Sequence, residues 1–339
     1  MSEGPARSAA AAQRGSCAPP AARLAPGAAV RDGEDLDPRE VDALLADLRR
    51  TLQGRFGTAD ETRIESGLRS RGRLIVPVRF HVVASGRTGR LSAAAVRRQM
   101  ATLNAAYAGR RGGADTGVGF RLAGYDVTDH REWFRHPRRY EGPMKRHLRK
   151  GGRRTLNVYT AAVGTDVLGF STFPQWYEGK PSMDGVVIDY RSLPGGSNKR
   201  FDRGYTAVHE IGHWLGLLHT FENGCVPPGD GVSDTPYEAW PVSGCPQERD
   251  TCPQWGADPV HNFMNYAYDA CMWGFTAGQG RRMRASWAAY RDVGRRSSRG
   301  PDAARTRAGA APTRAGAARI VTPELPPRRD LSAGLGSLQ

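Results

Sequence analysis

The chain has 339 residues, with 49 Lys or Arg, 34 Asp or Glu, five Cys, a formal net charge of +15 and 39% hydrophobic residues. It is too long for a small disulfide scaffold and long enough for one large domain or two modest ones. No run approaches the roughly 18–20 continuous apolar residues of a transmembrane helix, which excludes an integral helical membrane protein.

The charge is localised. Residues 131–154 hold ten Arg or Lys against two Glu, and residues 291–339 hold ten Arg against four acids, so these two segments carry 14 of the 15 net charges. Arginine makes up 45 of the 49 basic residues in a chain crowded with Ala and Gly, a bias that base composition explains as well as phosphate contact does. Specific nucleic-acid binding is not expected.

Residues 1–35 are rich in Ala, Pro, Gly and Arg without apolar periodicity, and are expected to form a disordered or loosely attached leader. No apolar run follows Met1, so no secretory signal peptide is expected in the sequence as written. Asp37-Pro38 then opens an amphipathic helix with Val41, Leu44, Leu45, Leu48 and Leu52 on one face. Residues 57–73 are expected to be an exposed, protease-sensitive linker. From Leu74 the pattern gives a strand, a helix over Leu91–Tyr107 capped by Ser92, and a strand around Phe120–Val127. A basic helical stretch near Pro143–Lys150 and strands at 156–163, 168–174 and 185–190 follow. Beyond His219 the chain is rich in Gly, Pro and Cys until a helix from Thr276 to about Arg291, and the last 45 or so residues are expected to be a disordered tail.

The chemistry is concentrated in residues 205–221, YTAVHEIGHWLGLLHTF. His209 and His213 stand one helical turn apart, where both imidazoles reach one ion. Gly216 suits the turn that ends such a helix, and the turn returns His219 as a third ligand. Three histidines leave one zinc position open, as catalysis requires. Glu210 is placed to hold and deprotonate the water at that position.

The full pattern H-E-x-x-H-x-x-G-x-x-H is the signature of metzincin metalloproteases, which implies a methionine turn downstream; Met264 in HNFMNYAYDACM supplies it. The stretches PSMDGVVID (181–189), GVSDTP (231–236), SGCP (243–246), DTCP (250–253), DPVHNFMNY (258–266) and FTAGQGRRM (275–283) resemble the pappalysin family, in particular its smaller secreted microbial members. The resemblance spans about residues 73–291 and departs at Asn265, where many relatives carry Asp. It implies that Tyr266 stabilises the tetrahedral oxyanion and that Met264 lies beneath the metal as an apolar floor. It also implies that the strand at 168–174 aligns an extended substrate. Asp269 would line the primed-side pocket and favour Arg or Lys after the scissile bond; the alternative is a surface loop acid.

Cys225, Cys245, Cys252 and Cys271 allow three disulfide connectivities, and the resemblance implies Cys225–Cys252 with Cys245–Cys271. Disulfides imply an oxidising compartment, so secretion is expected despite the missing signal peptide, through a misplaced start codon or an unusual export route. Asp230, the Val232 carbonyl, Asp234 and Thr235 offer oxygens to a hard cation, and relatives carry calcium in this region. The unpaired Cys17 could hold the zinc as a thiolate in a zymogen, with processing in the RSRGR stretch (69–73), or be an idle thiol in the leader.

The expected architecture is α+β and metzincin-like: a twisted mixed sheet with a backing helix and the zinc helix, above a smaller irregular disulfide-linked subdomain. Residues 1–71 would be a leader or propeptide, 72–293 the catalytic domain (upper part 72–216, lower part 217–293) and 294–339 the tail. The function expected is a secreted, monomeric zinc endopeptidase acting on proteins or peptides. The alternatives are a catalytically silent peptide-binding module of the same fold and a polyanion-binding protein.

Overall fold

The structure is a computed structural model that describes residues 22–24, 36–70, 72–164 and 167–292. Cys17, Arg71 and residues 293–339 lie outside these residues.

Six strands form one sheet: β1 (Ala22–Leu24), β2 (Leu74–Ala84), β3 (Val118–Asp129), β4 (Leu156–Ala161), β5 (Val167–Ser171) and β6 (Val186–Asp189). Their spatial order is β1-β5-β6-β4-β2-β3. Strands β2, β3, β4 and β6 pair in parallel, and β5 runs antiparallel to β6. Parallel neighbours need crossovers, and these supply the helices that bury both faces. Successive side chains therefore enter different cores. Val76, Val78, Phe80 and Val82 pack with α3 (Ala93–Tyr107) and the helix that carries His209 and His213, whereas Val83, Tyr159 and Val187 pack with Phe134, Met144 and Leu148. The last three come from two short helices, α4 (Arg131–Arg135) and α5 (Glu141–Leu148).

Within the leader the described residues Ala22–Leu24 form β1, which pairs antiparallel with β5. Helix α1 (Pro38–Phe56) has Asp37 as N-cap in a capping box with Glu40, and its five-residue apolar face is buried. The described residues of 57–73 correct an expectation: much of the segment is exposed, but it is not a linker without structure of its own. They contain α2 (Glu61–Arg69), capped by Asp60. Ile64 is buried with Leu48, Leu52, Ala285 and Ala289, and Glu61 accepts a 2.5 Å hydrogen bond from Arg282. The apolar stripe of α2 is only Ile64 and Leu68, and Arg282, Ala285 and Ala289, which help to hold it, arrive some 220 positions later, so local periodicity could not show it.

Element boundaries also differ from those expected. β5 ends at Ser171, because the chain enters a tight 3₁₀ turn at Pro174–Trp176. The final helix, α7 (Ala277–Ser286), widens into a π-type turn over Trp287–Arg291. Below the sheet, the loop-rich part is fastened by disulfides Cys225–Cys252 and Cys245–Cys271.

Candidate metal centre

Helix α6 (Tyr205–Trp214) carries the motif, and every residue in it is buried. At its start the Asp269 carboxylate accepts from the backbone N–H groups of Arg203 (2.9 Å) and Tyr205 (3.4 Å). A negative charge there complements the helix dipole. Asp269 is 1% exposed, so it is not a surface loop acid.

At the other end, Gly216 turns with φ +95°, and a Cβ there would lie 2.4 Å from Ser286 Oγ. Both the conformation and the close approach require glycine. The fully buried Arg291 fastens this end: it donates to the Trp214 carbonyl (3.1 Å) and to both oxygens of Asp184 (3.0 and 3.2 Å). Its guanidinium lies 3.5 Å from the centre of the Trp214 ring, and Trp214 Nε1 also donates to Asp184 (3.0 Å).

The three histidines converge. His213 Nε2 lies 3.1 Å from His209 Nε2 and 3.2 Å from His219 Nε2. Each opposite nitrogen faces an acceptor: His209 Nδ1 faces the Phe263 carbonyl at 2.7 Å, and His213 Nδ1 faces the Leu217 carbonyl at 2.8 Å. His219 Nδ1 faces a Glu222 carboxylate oxygen at 2.7 Å. Carbonyls and carboxylates only accept, so each Nδ1 carries the proton and each Nε2 turns a lone pair inward. Burial, and then the neighbouring His219, push the His213 imidazole well below the usual histidine range, which keeps it neutral. The lone pairs of His209 and His219 each lie a little over 3 Å from that of His213, and all three ligand atoms lie within 4.8 Å of one another. Lone pairs so placed repel one another and suit one ion at about 2.0–2.1 Å from each nitrogen. Among the described residues this is the one group of three or more His, Cys, Asp or Glu able to hold a metal.

Glu210 is fully buried beside the cluster and packs against β5, so that a Cβ on Gly169 would lie 2.9 Å from its Cγ and Oε1. Met264 is fully buried, with its sulfur 2.4 Å from where a Cβ on Gly212 would sit. The methionine turn meets the third-ligand loop through Thr220 N–H donating to the Met264 carbonyl (3.3 Å). Tyr266 is 5% exposed, with its hydroxyl 3.1 Å from His219 Nε2.

Two acidic groups bonded to the third-ligand loop escaped the sequence analysis. Glu222 stands only three residues beyond His219, a spacing visible in HTFE. Glu238 had no such signal. It is fully buried and accepts from Thr220 Oγ1 (2.8 Å) and from Asn265 Nδ2 (2.7 and 3.0 Å), while Arg249 bridges it to Asp258. Burial pushes the Glu238 carboxyl up to about 7. Asn265 also accepts from the backbone N–H groups of Val242 (3.0 Å) and Tyr266 (2.8 Å), which explains an amide at this position: its oxygen accepts while its nitrogen donates.

Of the oxygens expected for calcium, Asp230 is buried, pushed up to about 7 by desolvation, and accepts from Val232 N–H (2.9 Å). Val232 and Thr235 are buried beside it in sequence. Asp234 is differently engaged: its carboxylate accepts from Thr276 Oγ1 and Gly278 N–H, both at 2.7 Å, at the start of α7.

Residues 154–288 match the model of the Peptidase_M43 family, described as pregnancy-associated plasma protein-A. An extracellular metalloprotease of Verticillium alfalfae is 46% identical over 244 residues, covering 69% of this chain and 83% of that protein. One from Neurospora crassa is 44% identical over 223 residues, covering 64% and 75%. Among solved structures, mature mirolysin of Tannerella forsythia in complex with a cleaved peptide superposes with a TM-score of 0.55 at 30% identity, covering 63% of this chain and 91% of that one. The motif helix, the methionine turn and these similarities lead to one conclusion: this chain belongs to the pappalysin family of metzincins and is a metalloendopeptidase.

Proposed function

We propose that the protein is a secreted zinc-dependent endopeptidase with His209, His213 and His219 as zinc ligands and Glu210 as general base and acid. The observation that carries this reading is the convergence of three inward-facing Nε2 atoms, at 3.1 and 3.2 Å across His213, beside the buried Glu210. Zinc held there supplies Lewis-acid chemistry, lowering the pKa of water and polarising the scissile carbonyl. Glu210 takes the proton from the attacking water and returns it to the leaving amine. The Tyr266 hydroxyl donates to the developing oxyanion, and Met264 forms the apolar floor under the histidines. The substrate pairs with β5 as an added strand.

Finer parts of the same reading follow. Asp269, a buried acid following the methionine turn, selects Arg or Lys after the scissile bond. Asp230, the Val232 carbonyl and Thr235 hold calcium; the buried carboxylate supports this assignment. Residues 1–71 act as a propeptide with Cys17 as latency thiolate, supported by β1 lying along β5 where a substrate strand would pair. The relatives named extracellular metalloproteases support secretion.

The test digests a proteome-derived peptide library with the full chain, before and after limited trypsin treatment, and maps cut sites by mass spectrometry. Cleavage that a chelator abolishes and zinc restores supports the reading, and a basic residue after each cut supports the role of Asp269. A zinc-loaded protein that cuts nothing in either form overturns it.

A further inference from the structure

The three histidines are backed unequally. His209 and His213 donate to the neutral backbone carbonyls of Phe263 and Leu217, whereas His219 donates to the carboxylate of Glu222 at 2.7 Å. Glu222 is 7% exposed, and its own N–H donates to the His219 carbonyl (3.2 Å), so a single tight turn delivers the carboxylate to the imidazole. The Phe221 ring stacks on His219 at 4.8 Å between centroids and 8° between planes, which sets the ring's tilt. The Tyr266 hydroxyl lies 3.1 Å from the opposite nitrogen.

We propose that Glu222 is the positioning residue of the third zinc ligand. Its carboxylate fixes the His219 tautomer with Nε2 towards the metal, orients the ring, and adds a negative charge that strengthens His219 as a donor. Groups behind metal-bound histidines act in this way, and their loss typically weakens metal binding by about 10–100-fold. The reason for a carboxylate at this ligand is geometric. His209 and His213 are held by α6, whereas His219 stands on a loop beyond the helix, where ring orientation depends on local contacts. This proposal rests on the reading of the three histidines as zinc ligands.

The test compares the full chain with Glu222→Gln and Glu222→Ala, each stripped of metal and titrated with zinc against a chromogenic chelator. The expected order of affinity is wild type, then Gln, then Ala, with Ala weaker than wild type by about 10–100-fold. Gln retains an oxygen for the Nδ1 proton and lacks the charge, so it separates orientation from electrostatics. Melting of the metal-free and zinc-loaded proteins provides the control: metal-free melting stays together across the series, while the zinc-induced gain shrinks. Equal zinc affinity in all three proteins overturns the proposal, as does an equal loss of melting temperature with and without zinc. Should Ala fail to fold, Gln alone decides, since wild-type affinity in Gln removes the role of the charge. A wild type that binds no zinc overturns instead the underlying assignment of the histidines.

Discussion

Replacing Gly169 with alanine disturbs the proposed general base without touching a metal ligand. Gly169 lies in β5 and pairs with Ile188 of β6. An added Cβ would stand 2.9 Å from Glu210 Cγ, from Glu210 Oε1 and from the Val187 carbonyl oxygen, while ordinary contact begins at 3.4 Å. The deficit is 3.4 − 2.9 = 0.5 Å. Val187 is sheet backbone paired on both sides, so the Glu210 side chain is the group that yields. A misplacement of 1 Å in a catalytic group costs about 100-fold in rate, so half that distance gives a loss of about tenfold in kcat. Overpacking should lower stability by about 1–3 kcal/mol. The assay is kcat on a fluorogenic peptide beside zinc affinity and thermal melting. The expected result is reduced kcat with unchanged zinc affinity. Wild-type kcat in a folded variant, or a loss that follows zinc release, would refute the argument.

Further predictions concern the groups around the site. Asn265→Asp would place a second carboxylate 2.7–3.0 Å from Glu238, so stability at neutral pH should fall by about 1–3 kcal/mol and recover in the double variant Asn265→Asp/Glu238→Gln; denaturant unfolding of the four proteins of the cycle measures this. Glu238 has its folded pKa raised to about 7 from 4.5, so the unfolded chain releases this proton first as pH rises. The wild type should therefore lose stability relative to Glu238→Gln between about pH 4.5 and 7, by at most roughly 3 kcal/mol, with no further change above; melting across that range shows it. Arg291→Ala would leave Asp184 buried without its guanidinium and should cost about 3–5 kcal/mol, read by denaturant unfolding.

The metal centre was legible because its three histidines and Glu210 fall within eleven residues whose spacing and glycine imply both helix and turn. Helices α1 and α3 were legible for a similar local reason, with caps at Asp37 and Ser92 and apolar stripes wide enough to register. Helix α2 was not, since its stripe is two residues and its remaining hold is ionic contact with α7. The same limit hid the Glu238–Arg249–Asp258 and Arg291–Asp184 networks: each is an ordinary charged residue in sequence and becomes a partner only when loops far apart in the chain meet. Asp269 was recognised by its place after the methionine turn, yet its hold on the start of α6 depends on a contact spanning 64–66 positions.

The most direct test of the account is Glu210→Gln in the full chain. Zinc content is measured by elemental analysis, and peptide hydrolysis is followed before and after limited trypsin treatment. The account predicts one zinc per chain in both proteins, cleavage by the wild type and a loss of activity of at least 100-fold in the variant, as removal of a general base entails. Equal cleavage by the two proteins at equal zinc content would contradict it.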